Sequence, residues 1–103
     1  MNVKTIDVNA KEWRDRTYGN SYFSAVVTIN YKMKDMTSFK IPFQYGYGDH
    51  FIDIANQQLH KKGYIFNPRR GINKIRIPLW QYCEDHNIIL RTTKTVGCRK
   101  RDL

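Results

Sequence analysis

A period-two alternation runs through residues 21–33 and returns in residues 39–45, and it constrains the fold of this chain more than any other feature. Phe23, Ala25, Val27, Ile29, Tyr31 and Met33 share one parity, while Ser24, Thr28, Asn30 and Lys32 take the other. Successive side chains of an extended chain point to opposite faces, so such a run predicts a strand with one buried face. Its β-branched and aromatic residues suit a pleated surface. Phe39, Ile41, Phe43 and Tyr45 repeat the pattern after a polar turn at residues 34–37, which predicts a hairpin. Pro42 has no N–H to give to a ladder, and this places the second strand at a sheet edge.

The remaining elements follow from spacing and punctuation. Residues 3–8 alternate as a short strand, and residues 9–20 form a polar segment that holds Trp13 and the turn pair Gly19-Asn20. Asp49 is a candidate N-cap for a helix whose Phe51, Ile52, Ile54, Ala55 and Leu59 recur at helical spacing. Lys61 and Lys62 suit its C-terminal dipole, and Gly63 ends it. Residues 64–66 read as a brief strand and residues 67–71 as a loop. Pro78 sits in the first turn of a second helix that carries Leu79, Trp80, Tyr82 and Cys83 and ends near Asn87. Residues 88–96 return to strand character. The expected order is β-β-β-α-(β)-α-β: an α+β fold with a small, mainly antiparallel sheet and two helices packed on one face. Residues 1–97 form one domain in this reading, and residues 98–103 a mobile basic tail.

With 103 residues, 41% of them hydrophobic and 14% aromatic, the chain can bury a core. Its two cysteines, Cys83 and Cys98, make no disulfide framework and fit a reduced compartment. Lys4, Asp7, Lys11 and Glu12 interrupt any apolar run after Met1, so no secretory signal is expected. No window approaches the ~18 apolar residues of a membrane span. The expected location is cytoplasmic, and no membrane partner is expected.

Charge is distributed unevenly. Residues 1–60 carry a net +1 and residues 61–103 a net +8, which together make the +9 of the chain. Folding does not require such a gradient, so it speaks of a polyanionic partner, nucleic acid ahead of anionic membrane. The candidate phosphate contacts are Arg69, Arg70, Lys74, Arg76, Arg91, Lys94, Arg99, Lys100 and Arg101. Tyr18, Tyr22, Tyr45 and Tyr47 lie beside glycines and turns, where exposed rings stack on unpaired bases or anchor a protein partner.

Other chemistry has thinner support. Cys83 and His86 make only one closely spaced ligand pair, so no metal site is assigned. Asp49, His50 and Asp53 cluster at one helix end, and Glu84, Asp85 and His86 at another. Histidine beside carboxylate supports proton transfer, and a small nuclease using His50 or His86 is the third functional reading. No nucleophile elbow or phosphate loop is present, no catalytic residue is assigned, and no cofactor is implied.

The stretches TYGNSYFSAVVTINY and PFQYGYGDHFIDIA resemble a pattern of small uncharacterised phage-encoded proteins. There an aromatic YGN-S/T-Y turn precedes a strand, and a PF-x-YGYGD strand precedes a helix. The resemblance covers residues 13–62 and implies a phage or prophage source and the host cytoplasm as location. It carries no catalytic residues. It motivates an alternative to nucleic-acid binding, in which the chain inhibits or modulates a host protein complex.

Overall fold

A computed structural model describes residues 1–103. Its sheet has four strands in the order β3-β2-β1-β4: β1 Thr5–Asp15, β2 Asn20–Ile29, β3 Thr37–Tyr45 and β4 Ile89–Thr95. The first three form an antiparallel meander, and β4 returns to lie parallel to β1. Helices α1 (His50–Lys61) and α2 (Leu79–Asp85) make the crossover from one sheet edge to the other. A parallel return needs a long connection of this kind. The α+β class and the helices on one face match the sequence expectation.

One face of the sheet is dry. Ile6, Val8 and Ala10 of β1, Phe23, Ala25, Val27 and Ile29 of β2, and Ile41 of β3 lie against Phe51, Ala55 and Leu59 of α1 and Leu79, Tyr82 and Cys83 of α2. The opposite face carries no α-helix. It presents Asp7, Asn9, Lys11 and Trp13 of β1, Ser24, Val26 and Thr28 of β2, and Arg91, Thr93 and Thr95 of β4.

Several boundaries differ from those expected. β1 continues through residues 9–15: Asn9, Lys11 and Trp13 face the open side, while Ala10 is buried on the other and Glu12 is paired there with Lys94. β2 stops at Ile29. Asn30 takes φ 56°, and Tyr31 and Met33 stand exposed in the turn instead of extending the apolar face. Residues 64–66 pair with no strand. Pro78 is the N-cap of α2 rather than a member of its first turn, and that helix ends at Asp85. Asp49 occupies the N-cap position of α1, but its side chain makes no capping hydrogen bond.

The most consequential departure lies in β3. Phe23 pairs with Gln44, whereas Ala25 pairs with Ile41, so Pro42 and Phe43 together face Ser24. This extra residue is a β-bulge at the one position that has no N–H to lose. It reverses the parity of everything after it. Phe39 and Ile41 face the helices, while Phe43 turns to the open face beside Tyr22.

Candidate nucleic-acid interface

The bulge assembles an aromatic cluster on the open face. Trp13 and Tyr22 are cross-strand partners in β1 and β2, with stacked rings 5.5 Å apart. Phe43 stacks on Tyr22 at 5.1 Å with only 7° between planes, and Tyr45 meets Tyr22 edge-on at 5.8 Å. Phe43 and Tyr45 keep 39% and 55% of their surface in water, so a further ring has room to join the stack.

Positive charge reaches this cluster from two directions. The C-terminal residues are ordered against the sheet, contrary to the mobile tail expected. The backbone N–H of Cys98 donates to Glu12 O at 3.1 Å, and Lys100–Asp102 form a short 3-10 turn. Asp102 closes the turn by accepting from the Arg99 N–H at 3.0 Å, and this bond holds its carboxyl below the usual carboxylate range. The turn puts the Lys100 ammonium 5.5 Å from the Trp13 ring centroid and 5.9 Å from that of Phe43. The other direction is the end of β1 and the turn after it: Arg14, on the strand face opposite to that of Trp13, and Arg16 border the cleft there. Trp13, Arg14, Asp15, Arg16, Thr17, Arg99 and Lys100 line a cleft of about 450 Å³. Of the four cations there, only Arg99 has a carboxylate partner, Asp102 at 3.5 Å. Lys11 and Lys40 flank an adjoining shallow groove with Asp102 and Leu103, and Arg101 is exposed on the 3-10 turn.

The other sequence candidates do not join this surface. Arg91 forms a two-pronged pair with Asp7 at 2.6 and 2.9 Å, and that partner pushes its guanidinium further up from an already high pKa. Lys94 faces the helical side, where it meets Glu12 at 2.9 Å and donates to Gly48 O at 3.0 Å. Arg69, Arg70, Lys74 and Arg76 belong to a hairpin loop attached to α1, on the far side of the sheet from the tail. The cations after Lys61 therefore divide between two faces. Among the tyrosines, Tyr22 and Tyr45 join the aromatic cluster. Tyr47 lies beside Tyr45 at a second cleft, and Tyr18 is exposed in the β1–β2 turn without a ring partner.

Sequence reasoning missed Trp13, Phe43, Lys11, Arg14, Arg16 and Lys40. A signal for three of them was present. A hairpin closed just before Gly19-Asn20 sets Trp13 opposite Tyr22 and brings Arg14 and Arg16 to the strand end.

The second cleft, about 540 Å³, lies between the end of β3 and the start of α1 and is lined by Tyr45, Gly46, Tyr47, Asp49, His50 and Asp53. A Cβ on Gly46 would lie 2.6 Å from His50 Cδ2 and 2.8 Å from Phe23 Cε1, so glycine alone fits that close approach. His86 is instead stacked on Tyr82 at 4.0 Å. Burial pushes the Cys83 thiol up to about 11, which leaves it protonated and poorly reactive at neutral pH. No group of three or more His, Cys, Asp or Glu side chains is arranged to hold a metal ion.

Comparison with protein-family models, curated proteins and solved structures finds no match to this chain.

Proposed function

We propose that this protein binds single-stranded nucleic acid on the open face of its sheet. Bases stack on the Trp13–Tyr22–Phe43–Tyr45 cluster, and phosphates meet Arg14, Arg16, Arg99 and Lys100. The carrying observation is the Lys100 ammonium poised over two aromatic rings at the mouth of a cleft with three arginines. Unpaired bases offer π-faces to such rings, which a duplex keeps stacked. Cations beside them neutralise the connecting phosphates and release counterions. The resemblance of residues 13–62 to phage-encoded proteins supports a setting in a bacterial host's cytoplasm.

Fluorescence anisotropy with short single-stranded RNA and DNA across a salt series tests this reading. With four or five phosphates contacted at roughly −0.7 each, the log–log slope should lie near about −3. Arg14→Ala with Arg16→Ala should flatten the slope by about 1.4, two contacts at roughly −0.7. Phe43→Ala should weaken binding about tenfold at every salt concentration, the worth of one lost stack. Absent or salt-insensitive binding would overturn the proposal.

A further inference from the structure

The face away from the aromatic cluster carries a feature that nucleic-acid binding does not use. Residues 67–77 form a hairpin in which Arg70 N–H donates to Ile75 O at 2.7 Å and Ile75 N–H to Arg70 O at 3.2 Å. Its base is pinned to α1. The buried Asn67 amide donates to Asn56 Oδ1 at 2.9 Å and Ile77 O at 3.0 Å, and Asn56 Nδ2 donates to the same Ile77 carbonyl at 2.9 Å. Asn67 N–H donates to His60 Nδ1 at 3.0 Å, and Arg76 turns inward to donate to Asn67 O. This polar knot fixes the root of the hairpin, while the side chains of residues 69–75 face water. Ile72 at the tip is fully exposed, as are two-thirds or more of Ile75 and Phe66, and Trp80 follows at 60% on the first turn of α2.

The charge around these apolar side chains has one sign. Residues 54–83 contain six Lys or Arg and no Asp or Glu. Arg69, Arg70 and Lys74 bracket Ile72 and form no ion pair. A free-standing aliphatic side chain on an ordered hairpin forgoes burial it could obtain elsewhere. Unpaired bases stack best on flat aromatic rings, and Ile72 and Ile75 offer them none, so the hairpin suits nucleic acid less well than the open face does. An anionic bilayer suits each part of it. Headgroups attract the three flanking cations, the acyl boundary takes the aliphatic tip, and Phe66 and Trp80 are of the side-chain type that settles at that interface. A bilayer also deforms around a narrow convex tip and needs no complementary pocket.

We propose that the 67–77 hairpin docks this protein on an anionic lipid surface, with Ile72 and Ile75 inserted and Arg69, Arg70 and Lys74 at the headgroups. No helix here is long and apolar enough to cross a membrane. Crossing is what hydropathy windows test, and shallow docking by a few side chains lies below their reach. The expectation of no membrane partner rests on such windows, although the charge gradient places an anionic membrane second to nucleic acid.

The two tryptophans allow a direct test, because Trp13 lies on the open face and Trp80 beside the hairpin. In a Trp13→Phe background, Trp80 emission should shift to the blue with phosphatidylcholine vesicles containing phosphatidylglycerol, and brominated lipid should quench it. Vesicles of phosphatidylcholine alone should do neither. Cosedimentation with the anionic vesicles should weaken about fivefold for each of Arg69→Ala and Arg70→Ala. It should weaken about tenfold for Ile72→Ser with Ile75→Ser, two partly inserted side chains. These positions are exposed, so far-UV circular dichroism and melting serve as fold controls. Equal binding to neutral vesicles, an unquenched Trp80, or an Ile72→Ser, Ile75→Ser variant that sediments like the parent would each overturn the proposal. So would loss of oligonucleotide binding in that variant, because the hairpin would then belong to the nucleic-acid interface.

Discussion

One buried amide, Asn30, closes the end of the sheet where β1 begins. Its Oδ1 accepts from the N–H of Lys4 at 2.7 Å and of Thr5 at 3.3 Å, and its Nδ2 donates to Asn2 O at 2.9 Å and Asp35 Oδ1 at 3.1 Å. Its backbone takes φ 56°, where asparagine is tolerated better than other side-chain-bearing residues. Asn30→Ala leaves several of these groups without partners and strains the turn, and should cost about 2–4 kcal/mol in denaturant unfolding. Asn30→Gly relieves the backbone but not the lost bonds, so it should recover about 1 kcal/mol of that. In the sequence Asn30 is one more polar member of an alternating run, and nothing local marks it as the last buried position. Three of its four partners come from residues 2–5, and period counting is blind to contacts so distant along the chain.

Elements with a dry face were legible, and those whose role lies on the wet face were not. The alternation of β2 and the apolar stripe of α1 survive because burial on one side demands them. The second half of β1 read as a polar segment because polar and charged side chains there occupy both faces and break the apolar alternation. The flip of Phe43 and Tyr45 was hidden for another reason. A bulge changes parity without changing composition, and Pro42 marked only an edge. The C-terminal turn was hidden because its order depends on Asp102 and on β1 rather than on an apolar pattern of its own. Its pH response follows from the direction of that carboxyl's shift. A depressed folded pKa stabilises the docked turn above the ordinary carboxylate range, and that stabilisation is lost as pH falls through the lowered value. In a Trp80→Phe background, Trp13 emission should therefore hold steady from neutral pH through about 4 and change only below it, as Lys100 leaves the ring. Asp102→Asn should show the changed emission already at neutral pH.

At the scale of the molecule, the cations that looked like one basic half serve two sides of a slab 43 × 39 × 19 Å in extent. Even the shortest of these dimensions exceeds two screening lengths of about 8 Å at physiological salt, so charges on opposite faces act nearly independently. Neutralising Arg69 and Arg70 should leave oligonucleotide affinity within about twofold at that ionic strength. The same change at Arg14 and Arg16 should lower it by tenfold or more, and the double set should be additive in free energy. Anisotropy titrations of the three variants measure this directly. The net charge of the C-terminal half was plain in the sequence. Its division was not, because Arg91 and Lys94 owe their neutralisation to Asp7 and Glu12, which lie some eighty residues earlier.

The parallel pairing of β4 with β1 also sets an order of events in synthesis. Thr5 is bonded in register with Ile89 and Lys11 with Thr95, so the earliest strand made waits for nearly the latest. Until then the meander has a bare flank, and a ribosome stalled before adding Ile89 would hold out a strand edge ready to recruit a chaperone or a neighbouring nascent chain.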